Sequence, residues 1–398
     1  MPDAARAAWL CSADAVREQC SAMLETALRD GLPHLAVDLA HLPACADTVA
    51  GVIRRNYPSL EIPHHARWRH FSAGGVDRWG ALRATLGGLD AAGLARTRID
   101  LCVVSVLLDA GAGPGWQYRE AGAGPVLARS EGLAVASLDA FRAGLFSAED
   151  VPQVDAAGLM RIDAEALGRA FQVSDGNPLA GLEGRAALLR RLGAALLARP
   201  DLFGQGRPGG LFDALAEPEG VAAGVVLEAL LDGLGPAWPS RIVLAGRPLG
   251  DVWRHPAAPG DGLVPFHKLS QWLAYSLIEV FEDAGVPVTG IGALTGLPEY
   301  RNGGLLLDTG VLHLRDPAIA DAPLAVGHPV VVEWRALTVA LLDRLAPLIR
   351  ARLGRDEAAL PLSRILEGGT WAAGRAIAAE RRPGGGPPLR VVSDGTVF

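Results

Sequence analysis

The chain has 398 residues, half of them hydrophobic, and a formal net charge of −7. Such a length supports a large buried core, while an acidic balance without a basic block argues against general nucleic-acid binding, which needs a positive footprint. Charges scattered through MPDAARAAWLCSADAVREQC exclude a signal peptide reading, and no run of about 18 uncharged apolar residues offers a membrane span, so a cytoplasmic protein is expected.

In chain order, residues 12–30 have helical spacing, with Val16, Cys20, Met23, Leu24, Ala27 and Leu28 on one face and Gly31 as a stop. Cys11, Cys20, Cys45 and Cys102 form no CxxC pair and read as reduced, mostly buried thiols. Residues 63–79 (PHHARWRHFSAGGVDRW) crowd three His, three Arg and two Trp together. His64, His65 and His70 lack a zinc spacing, so no metal is expected; arginines among aromatics suit an anionic or planar ligand, or a solvated loop with packed Trp. Residues 105–120 run from an apolar segment into Asp109, a Gly-rich loop (Gly111, Gly113, Gly115), Trp116 and Tyr118. The loop matches neither GxxxxGK[ST] nor GxGxxG, so a phosphate cradle is weakly supported.

Asn177-Pro178 has the form of a helix N-cap and first position, with Arg185 nearby to meet a phosphate, plain capping being the simpler alternative. Helical spacing recurs over 184–198, 219–233 and 334–354, the last expected to kink or split at Pro347. RPLGDVWRHP, with Asp251, is a further candidate loop. A helix starting at Pro265 would put Lys268, Gln271, Trp272, Tyr275 and Glu279 on one face, a mixture that suits a pocket wall better than a core stripe. Asn302-Gly303-Gly304 predicts a tight turn into a hairpin over 304–314 that reverses near Asp308-Thr309-Gly310. RPGGGPP (382–388) reads as a flexible loop, and LRVVSDGTVF as a second hairpin.

Of 37 basic residues, 36 are Arg and one is Lys, at position 268; only three Asn and four Tyr occur. This is the pattern of GC-rich coding. A surface Lys drifts to Arg at little cost, whereas a Lys that must lose its proton or act as a compact point charge does not. In the first turn of a helix, its ammonium is disfavoured by the positive dipole end, so Lys268 would be a neutral amine or a tightly paired cation. Thirty residues on, Glu299-Tyr300-Arg301 sets a carboxylate, a phenol and a guanidinium side by side among two of the rarest residue types, Tyr300 and Asn302. The plainer alternative there is a turn bearing a surface ion pair.

Taken together, SVLLDAGAGPGWQY, NPLAGLEGR, GDVWRHP, PFHKLSQWLAYSL and LTGLPEYRNGG resemble the uracil catabolism protein 4 family along nearly the whole chain. That resemblance implies a pyrimidine-degrading route in which a GTP-cyclohydrolase-II-like enzyme opens the uracil ring. Such a route must process a ribosylurea-type intermediate and release urea. Lys268 and Gln271, followed by Glu299-Tyr300-Arg301, are also similar to the Lys-x-x-Gln helix and Asp-Tyr-Arg segment of queuosine-salvage glycosylases. Here Glu299 replaces the Asp, and Asn302-Gly303-Gly304 replaces Val-Pro-Gln. His70-Phe71-Ser72 is similar to an Asn-Phe-Ser piece of those proteins.

The expected fold is therefore mainly α, a multi-helix DNA-glycosylase-like fold with a small β-hairpin addition. Residues 1–398 would form a single compact unit, or two helical subdomains meeting at an active-site cleft. The expected activity is an N-glycosidase acting on ribosylurea or its 5-phosphate, without metal or organic cofactor. Catalysis would rest on Glu299 and Lys268, with Asp109 and Asp251 as alternative carboxylates. Arg301, Tyr300, Gln271, Trp272, Arg67, Arg69, His70, Phe71, Trp116 and Tyr118 would bind the substrate. An imine formed by Lys268 is a mechanistic variant. A non-catalytic sensor or scaffold of the pathway is the alternative function, and a DNA-repair glycosylase conflicts with the acidic charge. The sequence leaves the oligomeric state open.

Overall fold

A computed structural model describes residues 1–113, 115–121 and 124–392. These residues are mainly helical, with six two-stranded sheets among them. They divide into two compact units. One comprises Met1–His65, Arg241–Gln271 and Gly290–Val392; the other comprises Ala66–Ser240 and Trp272–Thr289. Among the described residues, no helix is long and apolar enough to cross a membrane.

The first unit is organised on the helix Pro329–Leu353, in which every residue from Val330 to Leu342 is buried. Pro329 stands in its first turn, and Gly354 closes it at φ 62°, a left-handed position that glycine takes without strain. The expected break at Pro347 does not occur. Leu345, Ala346, Ile349 and Leu353 are buried around it, and each buried aliphatic side chain contributes about 1.5–3 kcal/mol, which offsets the lost hydrogen bond. Helix Ala13–Leu28 packs on this long helix; Ser12 caps it by accepting from Ala15 N–H at 3.1 Å, and Val16, Cys20, Met23 and Leu24 are buried. Glu333, inside the long helix, accepts from Leu35 N–H at 2.9 Å and pairs with His255 at 3.1 Å. Strand Leu35–Val37 is thereby anchored where it pairs antiparallel with Leu312–Leu314.

Three expectations in this unit need correction. Residues 300–308 are a helix (Tyr300–Asp308), not the first arm of a hairpin. Leu305 and Leu306 are buried at helical spacing, and the chain reverses only after Thr309, at Gly310 with φ 75°. The strand that follows pairs with a segment nearly three hundred residues away rather than with its neighbour. Asn302-Gly303-Gly304 is accordingly helix interior. A Cβ on Gly303 would lie 2.5 Å from Trp334 Nε1, so the glycine exists for close packing and not for a turn. Pro265 ends a strand (Leu263–Pro265, paired with Val252–Arg254) instead of opening a helix, and helix Lys268–Asp283 begins after His267 at φ 49°. Proline at a strand end removes no ladder hydrogen bond that matters. Residues 382–388 include a 3₁₀ turn at Pro383–Gly385. Val391–Val392 pairs in parallel with Leu324–Ala325, and the remainder of the expected C-terminal hairpin lies outside the described residues.

The second unit is organised on helix Ala91–Leu107, capped by Asp90, which accepts from Gly93 N–H at 2.8 Å; every residue from Thr97 to Leu107 is buried. Helices Arg129–Arg142 and Gly210–Leu215 pack on it. The carbonyls at its C-terminal end are closed by Arg185 of helix Leu182–Ala198, which donates to Leu108, Ala110 and Gly111. Burial pushes the Arg185 pKa down to about 10. The expected Asn177-Pro178 cap is corrected too: that helix starts at Leu182, and the Asn177 side chain instead bridges Gln117 and Gln172. Burial in the first unit pushes the Cys45 thiol up to about 11, and in the second the Cys102 thiol up to about 12; all four cysteines are buried.

Candidate functional site

Glu299 is the N-cap of helix Tyr300–Asp308. Its backbone is extended (φ −108°, ψ 162°), and its carboxylate accepts from Arg301 N–H at 2.7 Å and Asn302 N–H at 2.5 Å. The residue is only 8% exposed. Burial raises its pKa above the ordinary glutamate range. The two backbone hydrogen bonds and the charges of Lys268 and His65 pull against that rise without cancelling it. A buried carboxylate thus stands at a helix N-terminus with two cationic or titratable groups acting on it.

The approach to Glu299 is fixed by Gln271. Its amide donates to Thr295 Oγ1 at 2.9 Å and accepts from Thr295 N–H at 3.2 Å, a reciprocal clamp that is fully buried. Lys268 is the first residue of its helix, and its backbone N–H is received by Asp251 Oδ2 at 3.1 Å. Asp251 is fully engaged. Arg335 grips it with two bonds of 2.8 and 2.7 Å, and Trp253 Nε1 donates at 2.7 Å. Burial works to raise the Asp251 pKa, but the Arg335 charge and these donors hold it below the usual carboxylate range. Arg301 lies over the Tyr300 ring at 4.8 Å and donates to Gly385 O at 2.7 Å.

Two residues outside the predicted site set, His65 and Glu367, join this cluster. His65 Nδ1 lies 2.7 Å from Glu367 Oε2, with both side chains nearly closed to solvent. His65 N–H donates to Ser363 O at 2.9 Å, while His64 meets Ser363 Oγ at 2.6 Å. Glu367 sits in a π-helical turn, Leu366–Thr370, of a kind that recurs at functional sites. The histidines were visible in the sequence as a crowded segment. Their partner lies 302 residues on, so no local signal marked the pair.

The second unit holds the remaining predicted residues. Arg67 is fully buried; it donates to Ser105 Oγ at 2.7 Å, Asp109 Oδ1 at 2.6 Å and Ser130 O at 3.2 Å, and Ser130 Oγ donates to Asp109 at 3.1 Å. Its guanidinium lies 5.4 Å from the Trp272 ring centre and 5.9 Å from that of Phe71. The His70 ring meets Trp272 edge-on at 5.4 Å. Arg69 pairs with Glu279 at 2.5 Å; burial pushes Glu279 up, and Arg69 and Arg98 oppose it. Trp116 donates to Phe171 O and Tyr118 to Asp139, each at 2.9 Å. The twelve other predicted side chains beyond Glu299 and Lys268 thus fall into two groups. Asp251, Gln271, Tyr300 and Arg301 belong with those two in the first unit, and Asp109, Arg67, Arg69, His70, Phe71, Trp116, Tyr118 and Trp272 lie in the second. No group of three or more His, Cys, Asp or Glu among the described residues is arranged to hold a metal ion.

A family model described as a protein of unknown function (DUF1688) matches residues 9–398. Protein urg3 of Schizosaccharomyces pombe is 41% identical over 403 residues, covering 98% of each chain. Uracil catabolism protein 4 of Lachancea kluyveri is 40% identical over 408 residues, covering 92% of each.

Proposed function

The chain belongs to the DUF1688 family, and from that premise we propose that it is an N-glycosidase-type hydrolase of uracil catabolism in the cytoplasm. Its substrate would be ribosylurea or the 5-phosphate, and its products urea and the corresponding ribose. The name of the Lachancea relative supports the pathway. The observation that carries the chemistry is the buried Glu299 carboxylate under the charges of Lys268 and His65.

Breaking the C1–N bond builds oxocarbenium-like charge on the sugar, and urea is a poor leaving group. Glu299 would face C1, stabilise that charge and take the proton of the attacking water. A carboxylate anchored by two backbone N–H groups cannot swing away, which fixes its distance to the reacting carbon. Lys268 would hold Glu299 ionised near neutral pH or clamp the ligand directly. Arg301 and Tyr300, beside Glu299, would meet sugar hydroxyls or phosphate. We assign Asp251 and Asp109 to structure rather than to C1, because Arg335 and Arg67 already hold them. We also read the helical architecture as related to DNA glycosylases, in keeping with the Lys-x-x-Gln and Glu-Tyr-Arg segments.

The test mixes purified protein with synthetic ribosylurea and its 5-phosphate and assays urea. Release that collapses in Glu299→Gln and falls in Lys268→Ala is expected. Tight ligand binding without turnover would replace the enzyme by a sensor or scaffold. Borohydride trapping of a protein–sugar adduct through Lys268 would replace direct hydrolysis by an imine route.

A further inference from the structure

We propose that His65 is the general acid that protonates the departing urea nitrogen and that Glu367 is the residue that positions it; this rests on the glycosidase reading above. A carboxylate accepts only, so the 2.7 Å contact makes His65 Nδ1–H the donor to Glu367 and gives the proton-transfer role to Nε2, the other ring nitrogen. The pair is buried: His65 is 4% exposed. Its geometry is set from both sides. His65 N–H is held by Ser363 O, and Glu367 is carried by the π turn, where Gly368 and Gly369 lie too close to Tyr57, Ile62, Val49 and Ile53 to carry a side chain without displacing them.

The same turn is tied to Glu299. Helix Trp371–Arg381 follows it directly and packs against helix Tyr300–Asp308. A Cβ on Gly374 would lie 2.2 Å from Arg301 O, so the two backbones touch within one turn of the Glu299 cap. The charge of His65 registers at Glu299 in the electrostatics described above. Two further buried polar atoms, Asn302 Oδ1 and Thr370 Oγ1, have no hydrogen-bond partner among the described residues. They belong to the same two helical turns, and buried polar groups left unsatisfied by protein are expected where a ligand is to be met.

The step balances without a further reactant. As C1–N breaks, its electron pair stays on nitrogen and takes the proton from His65 Nε2. Water adds to C1 and gives its proton to Glu299, and proton return from Glu299 to His65 resets the site. Glu367 pairs with His65, whose charge acts on Glu299; His64 precedes His65 in the chain, and Arg375 lies over the neighbouring Trp371 ring.

The experiment compares ribosylurea with p-nitrophenyl riboside, whose leaving group departs without protonation. His65→Asn should slow urea release by about 10²–10⁴-fold, the usual worth of a positioned acid. The same variant should slow the activated riboside far less, and Glu299→Gln should slow both. Glu367→Gln, which keeps an acceptor for Nδ1, is the second variant and should show the same selectivity. Equal loss on both compounds, or no loss on ribosylurea, overturns the role of His65 while leaving the glycosidase reading standing. A wild-type protein that cleaves neither compound overturns that reading and this inference with it.

Discussion

Replacing Asp251 tests how the Lys268 helix is held. Asp251→Ala removes both bonds to Arg335 and the acceptor for Trp253 Nε1 and Lys268 N–H. Arg335 is 1% exposed, so its charge would lose its bidentate carboxylate while staying buried. Breaking a buried pair in this way costs about 3–5 kcal/mol. Each further orphaned donor adds a desolvation penalty of about 1–3 kcal/mol, not fully additive, which puts the loss at the upper end. Removing both charges in Asp251→Leu with Arg335→Leu should recover much of that loss, because no uncompensated charge remains. The assay is guanidinium unfolding of Asp251→Ala, of the single variants Asp251→Leu and Arg335→Leu, and of the double variant, read by tryptophan fluorescence. A single-variant loss under about 1 kcal/mol, or strict additivity in the double variant, would refute the reasoning. The pH dependence has a fixed sign. Asp251 has a folded-state pKa below its unfolded value, so its stabilisation is present above the unfolded pKa and is lost as pH falls through the folded one.

Gly303→Ala would force Trp334 and Thr338 to yield, contacts of 2.5 and 2.9 Å from the new Cβ, and should cost about 1–3 kcal/mol in thermal or denaturant unfolding. Gly374→Ala, pressing on Arg301 O, should cost as much and also lower turnover by displacing the Glu299 cap, measured as kcat on ribosylurea. Lys268→Met removes a charge that lowers the Glu299 pKa, so the acid limb of the activity–pH profile should move to higher pH; no movement would separate the amine from the carboxylate. Glu299 has a folded pKa above its unfolded value, so wild type should lose stability as pH rises through that folded pKa. Glu299→Gln should lack this slope when the two are compared by denaturant titration from acid to neutral pH.

The helical character was legible because apolar spacing is local: helices Ala13–Leu28, Leu182–Ala198 and Ala223–Leu234 lie where their stripes predict. Turn chemistry misled where packing outweighed it. Asn302-Gly303-Gly304 has the composition of a turn, yet the glycines serve contact with Trp334 and Pro388, a cause that only the tertiary structure contains. Pro347 breaks an isolated helix but not one whose buried face continues through Leu345, Ala346, Ile349 and Leu353. Lys268 and Glu299 could be picked out by rarity and by neighbours. Asp251 could be found as a carboxylate, but its grip on Arg335 spans 84 residues and hides its structural role. Glu367 had no signal at all, since its meaning comes from a histidine 302 residues earlier.

The most direct measurement runs the reaction in heavy-oxygen water and follows the label by mass spectrometry. Attack of water at the anomeric carbon beside Glu299 predicts one labelled oxygen on C1 of the released ribose and none in the urea. Label carried into urea or carbon dioxide, or ammonia released in place of urea, would mean that a different bond is broken and would contradict the account.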